Sequence, residues 1–279
     1  MAKMLIINAD DLGLAPGVTR GILELARSGG ATSASLLPNL PGSAAALAAA
    51  RDAGLDAGVH LNLCLGAPLA PPEAVPSIVG SDGRFLTAAA VTRRLALGRV
   101  RTREVAREWS AQIKYVLAGG TRPSHLDSHC HLHAYPPLYR LTLELARRYG
   151  IPGVRRAYAG FVYQTPHLFA IRARLRPSRG GDNGLAQPDH FAVLTAMGPW
   201  RTSRAFAALL RALPPGVTEL VCYPGHVDDE LRRVDPLTQP RNPARANCCC
   251  SRAPSSATPS RAHPPHLLGR PDRIMKRSD

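Results

Sequence analysis

Up to about Leu237 the chain alternates short apolar runs with amphipathic stretches, the rhythm of βα units built around a parallel sheet. "MLIINA" predicts a first strand and "GVTRGILELARSG" a first helix, which Gly29 and Gly30 stop. "ATSASLLPN" predicts a second strand, "GSAAALAAARDAG" a second helix closed by Gly54, and "LDAGVHLNL" a third strand. Residues 70–90 are proline-rich and carry "SDGRF", whose Asp82-Gly83 pair marks a turn, so a long loop is expected there. A helix is expected over "TREVAREWSAQIKYVLAGG", then a strand, then a helix over "PPLYRLTLELARRYG" ended by Gly150 and Pro152. "GVRRA" reads as a further strand, residues 160–190 look irregular, and a last helix in "WRTSRAFAALLRALPPG" leads into the strand "TELVCYPG".

The fourth strand falls in "SHLDSHCHLH", residues 124–133, which sets His125, Asp127, His129, His131 and His133 at alternate positions. Side chains on an extended strand alternate between faces, so the five are expected on one face, with Leu126, Ser128, Cys130 and Leu132 on the other.

Length and composition narrow the class without naming a chemistry. A chain of 279 residues can bury a sizeable core, and its apolar fraction of 45% is ordinary for a globular protein. The net charge of +15 raises the question of nucleic acid, but residues 240–279 supply +6 of it, and the remaining excess is scattered arginine with few aromatics. Electrostatic docking needs a stripe, so no nucleic-acid partner is expected. No apolar run reaches the roughly 18 residues of a membrane span, and "MAKMLIINADD" lacks the apolar region and cleavage site of a secretory signal, so the expectation is a cytoplasmic protein with no membrane partner. Three of the six cysteines are consecutive, Cys248 to Cys250, the others lie far apart at 64, 130 and 222, and no metal-type CxxC spacing occurs. The cysteines are uninformative at this level.

In βα folds the loops at the C-terminal ends of the strands carry the chemistry. Asp10 and Asp11 end the first predicted strand, His60 and Asn62 the third, Asp127 and His129 lie near the end of the fourth, and His226 follows the last. Adjacent buried carboxylates are costly unless a cation compensates them, so a metal site is the economical account. Same-face neighbours on a strand lie ~6–7 Å apart, whereas donors must reach ~2.0–2.2 Å from a zinc-like ion. At most one or two members of the histidine row can therefore be ligands. One Asp and two His from different strands leave open positions for water and substrate, which suits metal-assisted hydrolysis.

Five ordered blocks, "LIINADDLGLAPGVTRGI", "TSASLLPN", "AGVHLNLCLGAPL", "RPSHLDSHCHLHAYPP" and "TELVCYPGHVDDEL", resemble the YdjC-like carbohydrate deacetylases, collinearly from about residue 4 to 237. The resemblance implies a distorted TIM-like (β/α) barrel of about seven strands that removes acetyl groups from N-acetylated sugars with one divalent metal ion. Asp11, His60 and His129 match the metal ligands and Asp10 the candidate base. By ligand type zinc, cobalt or manganese suits this set, and the resemblance keeps magnesium in the set. Asp127 is expected to orient His129, His131 and His133 to shape the mouth, and Asn62 either to hold a loop or to contact sugar. His125, at the strand start, is expected to be structural. The expected partner is an N-acetylated oligosaccharide, and a homodimer is one option for the assembly.

Two departures from the family pattern stand out. Tyr223 in "CYPGH" occupies the place where a histidine commonly stands as general acid, and His226, three residues on, is the expected substitute. A barrel domain is expected over residues 1–239, followed by an irregular basic tail, 240–279, of Pro, Arg, Ser, Ala and Cys, the mixture that a shifted GC-rich reading frame gives. A metal-dependent phosphoesterase and an inactive metal-binding remnant are the alternative readings.

Overall fold

The computed structural model describes residues 2–156, 160–162, 184–193 and 203–234. Eight strands, β1 (Lys3–Leu12), β2 (Ser33–Leu36), β3 (Asp56–Leu61), β4 (His125–Ser128), β5 (Gly153–Val154), β6 (Gly160–Val162), β7 (His190–Val193) and β8 (Gly216–Cys222), form one sheet in the order β5-β4-β3-β2-β1-β8-β7-β6. Every pairing between them is parallel. The first strand pairs with the last, as a βα barrel requires, and the expected α/β barrel-like class is the one found. Seven strands run three residues or more, the expected number, and β5 adds a two-residue eighth.

Among the described residues the helices are α1 (Pro16–Arg27), α2 (Ser43–Asp52), α3 (Ala88–Ala96), α4 (Thr102–Ala118), α5 (Pro136–Arg148), α6 (Ser203–Ala212) and the short α7 (Asp229–Val234). α4 shows how one helix serves both core and site. Val105, Trp109, Ile113 and Val116 recur at helical spacing and are fully buried, each contributing about 1.5–3 kcal/mol. Beside this stripe a second buried row, Glu104, Glu108 and Gln112, serves the loops. Glu108 accepts from the backbone N–H groups of Leu69 and Ala70, Glu104 from that of Ser77, and Gln112 from that of Asn62. The expected long loop is thus pinned to α4, and α3 begins within its last residues.

The two faces of the sheet differ in polarity. Ala9, Val59, Leu61, Leu126 and Leu220 join the main apolar cluster together with residues of the helices. The alternate positions Asn8, Asp10, Ser33, Ser35, His60, His125, Asp127 and Glu219 are buried and polar, and a small apolar group, Ala134, Phe191, Val193 and Val221, completes the interior. Their register stacks them in layers, with Gly58 beside Ser35 on β2. The His125 ring lies over Gly58, where an added Cβ would come within 2.3 Å of it.

The sequence pattern misplaces some elements. The strand expected through residue 133 stops at Ser128, and His129–Ala134 form a 3-10 turn in which Cys130 (φ 55°) and His131 (φ 53°) are left-handed. Ser128 closes this turn, its hydroxyl accepting from the His133 N–H at 2.8 Å and meeting His133 Nδ1 at 2.6 Å. The five-residue face therefore does not form. Residues 160–190 include β6 and the start of β7, three- and four-residue strands too short to show a period. The tail expected from residue 240 lies outside the described residues.

Candidate metal centre and active site

Asp10 and Asp11 are neighbours on one strand, and a regular strand would turn them to opposite faces. The β1–β2 register shifts between Ala9 and Leu12, and Asp11 is left-handed at φ 69°. This bulge brings both carboxylates into one buried cluster. A non-glycine residue in that conformation costs ~1 kcal/mol or more.

Around Asp11 the structure gathers two imidazoles. Its Oδ1 lies 2.8 Å from His129 Nδ1 and 3.4 Å from His60 Nε2, and the His60 and His129 rings meet edge-on with centroids 5.6 Å apart. Each of the three residues offers one donor atom, and these atoms lie within 4.8 Å of one another. All three residues are buried or nearly so. Two nitrogens and one carboxylate oxygen converging from three strand ends fit a zinc-like divalent cation, so the site passes on its donor chemistry.

His60 is oriented from behind. Its register partner across the parallel β3–β4 pair is Asp127, whose Oδ1 accepts from His60 Nδ1 at 2.8 Å. Asp127 therefore orients His60, and not His129 as expected, because same-face neighbours on adjacent strands lie closer than a residue two positions along the chain. Burial alone would lower the pKa of His60, but Asp127 and Asp10 outweigh it and raise it to about 10. Burial likewise opposes charge on His129, and Cys130 and Asp11 raise it well above the usual value. Both rings are thus drawn toward the protonated form by the acidic groups around them.

Beneath the cluster runs a network whose centre the sequence reading missed. Arg155, fully buried one residue past β5, reaches Asp10 Oδ1 at 2.7 Å and Oδ2 at 3.0 Å, Asp127 Oδ2 at 2.6 Å and Glu219 Oε1 at 2.7 Å. Asn8 Nδ2 donates to Asp10 Oδ1 at 2.8 Å, and Ser35 donates to Asp127 Oδ2 at 2.8 Å. Burial raises Asp127, yet Arg155 and His60 hold it well below the carboxylate range, whereas burial carries Glu219 up to about 7 against Arg155. The signal for Arg155 was its strand-end position in "GVRRA", the same criterion that selected Asp10, His60 and Asp127.

The remaining residues divide. His133 contacts Ser128 and the Arg155 carbonyl, and His131 packs edge-on against Phe191 at 5.5 Å. Burial lowers both to about 3 and His125 to about 4, so these three imidazoles are neutral. Asn62 holds a loop: its amide donates to Asn39 Oδ1 and the Leu65 carbonyl, and its Oδ1 accepts from the backbone N–H groups of Cys64 and Leu65. Tyr223 lines a small cleft with Asp10, Asp11, Val18, Pro224, Gly225 and Leu231. His226 does not join the cleft. Its backbone N–H donates to the Gly17 carbonyl and its ring meets Glu24 Oε2 on α1 at 2.7 Å, which holds the half-exposed side chain on the outside, apart from the residues that line the cleft.

At the rim, Cys64 and Cys130 lie together, and the nearness of the two thiols raises Cys64 and lowers Cys130 to about 4.

Residues 4–254 match the family described as YdjC-like protein. A carbohydrate deacetylase of Geobacillus stearothermophilus is 33% identical over 243 residues, covering 86% of this chain and 87% of that protein. A carbohydrate deacetylase of Halalkalibacterium halodurans is 30% identical over 231 residues, 82% of this chain and 88% of its own length. Among solved structures, an Enterococcus faecalis V583 protein described as a candidate cellobiose-phosphate cleavage protein superposes with a TM-score of 0.73 at 30% identity, over 92% of both chains. With a family match spanning most of its length, this chain belongs to the YdjC-like family.

Proposed function

We propose that this protein is a cytoplasmic, metal-dependent hydrolase that removes acetyl groups from N-acetylated sugars. The observation that carries the reading is the convergence of Asp11, His60 and His129 beside Asp10, in a chain whose relatives are named carbohydrate deacetylases. Those three residues would hold a divalent cation, zinc, magnesium, manganese or cobalt, which would supply Lewis-acid polarisation of the acetyl carbonyl and lower the pKa of a water. The chain's own groups do the rest. Asp127 takes the His60 Nδ1 proton in a hydrogen bond, which leaves Nε2 facing Asp11. Asp10, gripped by Arg155 and Asn8, accepts the proton of the attacking water. Tyr223, just past β8, lines the same cleft as Asp10 and Asp11, which supports it as the group that gives a proton to the leaving amine.

The test is acetate release from N-acetylglucosamine oligomers by the metal-loaded protein. Turnover that a chelator abolishes and added metal restores is the expected result; no acetate from any acetylated sugar with any of the four metals overturns the reading. The name of the Enterococcus faecalis relative raises a second reading, cleavage of a phosphorylated disaccharide, and glucose or phosphate release without acetate would favour it.

A further inference from the structure

Cys64 and Cys130 come from different loops, and the fold brings their sulfurs to the same imidazole. Cys64 follows β3 in the loop that Asn62 pins, its backbone N–H donating to Asn62 Oδ1 at 2.9 Å. Cys130 follows β4, and its left-handed backbone turns it out of the strand direction. The two thiols are free, Cys64 half-buried and Cys130 exposed. With His129 they form a second three-residue set whose donor atoms lie within 4.8 Å of one another. Tetrahedral donors around zinc, at ~2.3 Å for sulfur and ~2.0–2.1 Å for nitrogen, sit on the order of 3.5 Å apart. The set therefore needs only a small contraction, and the exposed side of Cys130 leaves room for a water as fourth ligand.

We propose that Cys64, Cys130 and His129 form a second cation site, for thiophilic divalent metals of the zinc and cadmium class, that competes with the Asp11–His60–His129 set for His129. Two thiolates and one imidazole are a soft donor set, which magnesium and manganese do not favour. A neutral imidazole has one lone pair to give, so His129 serves one ion at a time. Filling the thiol site withdraws a ligand from the carboxylate-histidine set. The site stands on its own geometry, and only the competition rests on the proposed metal role of His129.

The experiment uses the reduced full chain with Cys248, Cys249 and Cys250 each changed to Ser, which removes the other clustered thiols. Cadmium is titrated in and followed by the ultraviolet thiolate-to-cadmium band and by bound-metal stoichiometry. The expected result is a saturating band at one equivalent that the added pair Cys64→Ser and Cys130→Ser abolishes; a band that survives this pair, or none in the parent, overturns the site. In a second arm the protein is preloaded with manganese, and free manganese is read by its paramagnetic resonance signal. Release that tracks the cadmium band and is lost with Cys64→Ser and Cys130→Ser supports competition for His129. Cadmium binding with all manganese retained overturns the competition and leaves the site, and a protein that binds no manganese refutes the primary metal reading instead.

Discussion

Replacing Arg155 with Met leaves Asp10, Asp127 and Glu219 facing one another in the barrel interior without their shared cation. The wild-type guanidinium makes four contacts of 2.6–3.0 Å to these carboxylates. Charge-assisted hydrogen bonds contribute roughly 1.5–3 kcal/mol each, but most of that sum is offset by the desolvation of Arg155 itself. The net loss on breaking a buried ion pair from one side is about 3–5 kcal/mol. Glu219, already raised to about 7, can take a proton and cap the penalty near the lower figure. Against a total stability of ~5–15 kcal/mol this is a large change. Urea unfolding followed through the fluorescence of Trp109, fully buried on α4, should show the midpoint falling by ~1–2 M, given a slope of ~2–3 kcal/mol/M. Arg155→Lys keeps the charge but loses the planar fork, so it should recover part of the loss. A midpoint for Arg155→Met within ~0.3 M of the parent, which is under ~1 kcal/mol by the same slope, would refute the idea that this arginine holds the site together.

Three further outcomes are expected. His60→Ala and His129→Ala should each abolish metal-dependent turnover with the circular dichroism unchanged, while Asp11→Asn weakens metal affinity and Asp10→Asn lowers kcat by about 100-fold or more with metal still bound; the reverse pattern for the two aspartates would exchange their roles. Because the folded-state pKa of Glu219 is raised from 4.5 to about 7 by burial, the native state binds the extra proton, and stability should fall as pH rises between those values, by about 3 kcal/mol. Glu219→Gln should flatten that slope in pH-resolved unfolding, and an unaltered slope would show that Glu219 does not titrate there. For the tail, resequencing should reveal an alternative frame encoding a Leu-rich helical segment beyond about residue 240, and its absence sinks the frameshift explanation.

The sequence alone determined the parallel βα rhythm and which residues stand at strand ends, because both follow from local periodicity and turn chemistry. That was enough to bring forward Asp10, Asp11, His60, Asp127 and His129, five members of the buried cluster. It did not determine where β4 stops. An alternating row of histidines is equally readable as a continuing strand, and only the Ser128 bonds to His133 end it, with Cys130 and His131 in the left-handed region. Nor could it pair partners across strands. Asp127 orients His60 because the β3–β4 register sets them side by side, and register is a property of two segments 67 residues apart. Arg155 stood at a strand end, but its carboxylate partners lie on other strands, and Glu219 was missed because a charged residue inside a strand reads as solvent-facing until the fold closes over it. His226 shows the converse: its place in the sequence marked it as chemical, and the packing of the β8 loop on α1 turned it outward to Glu24. Local preference fixed the elements, while the long-range contacts that cost the most chain entropy decided which side chains meet.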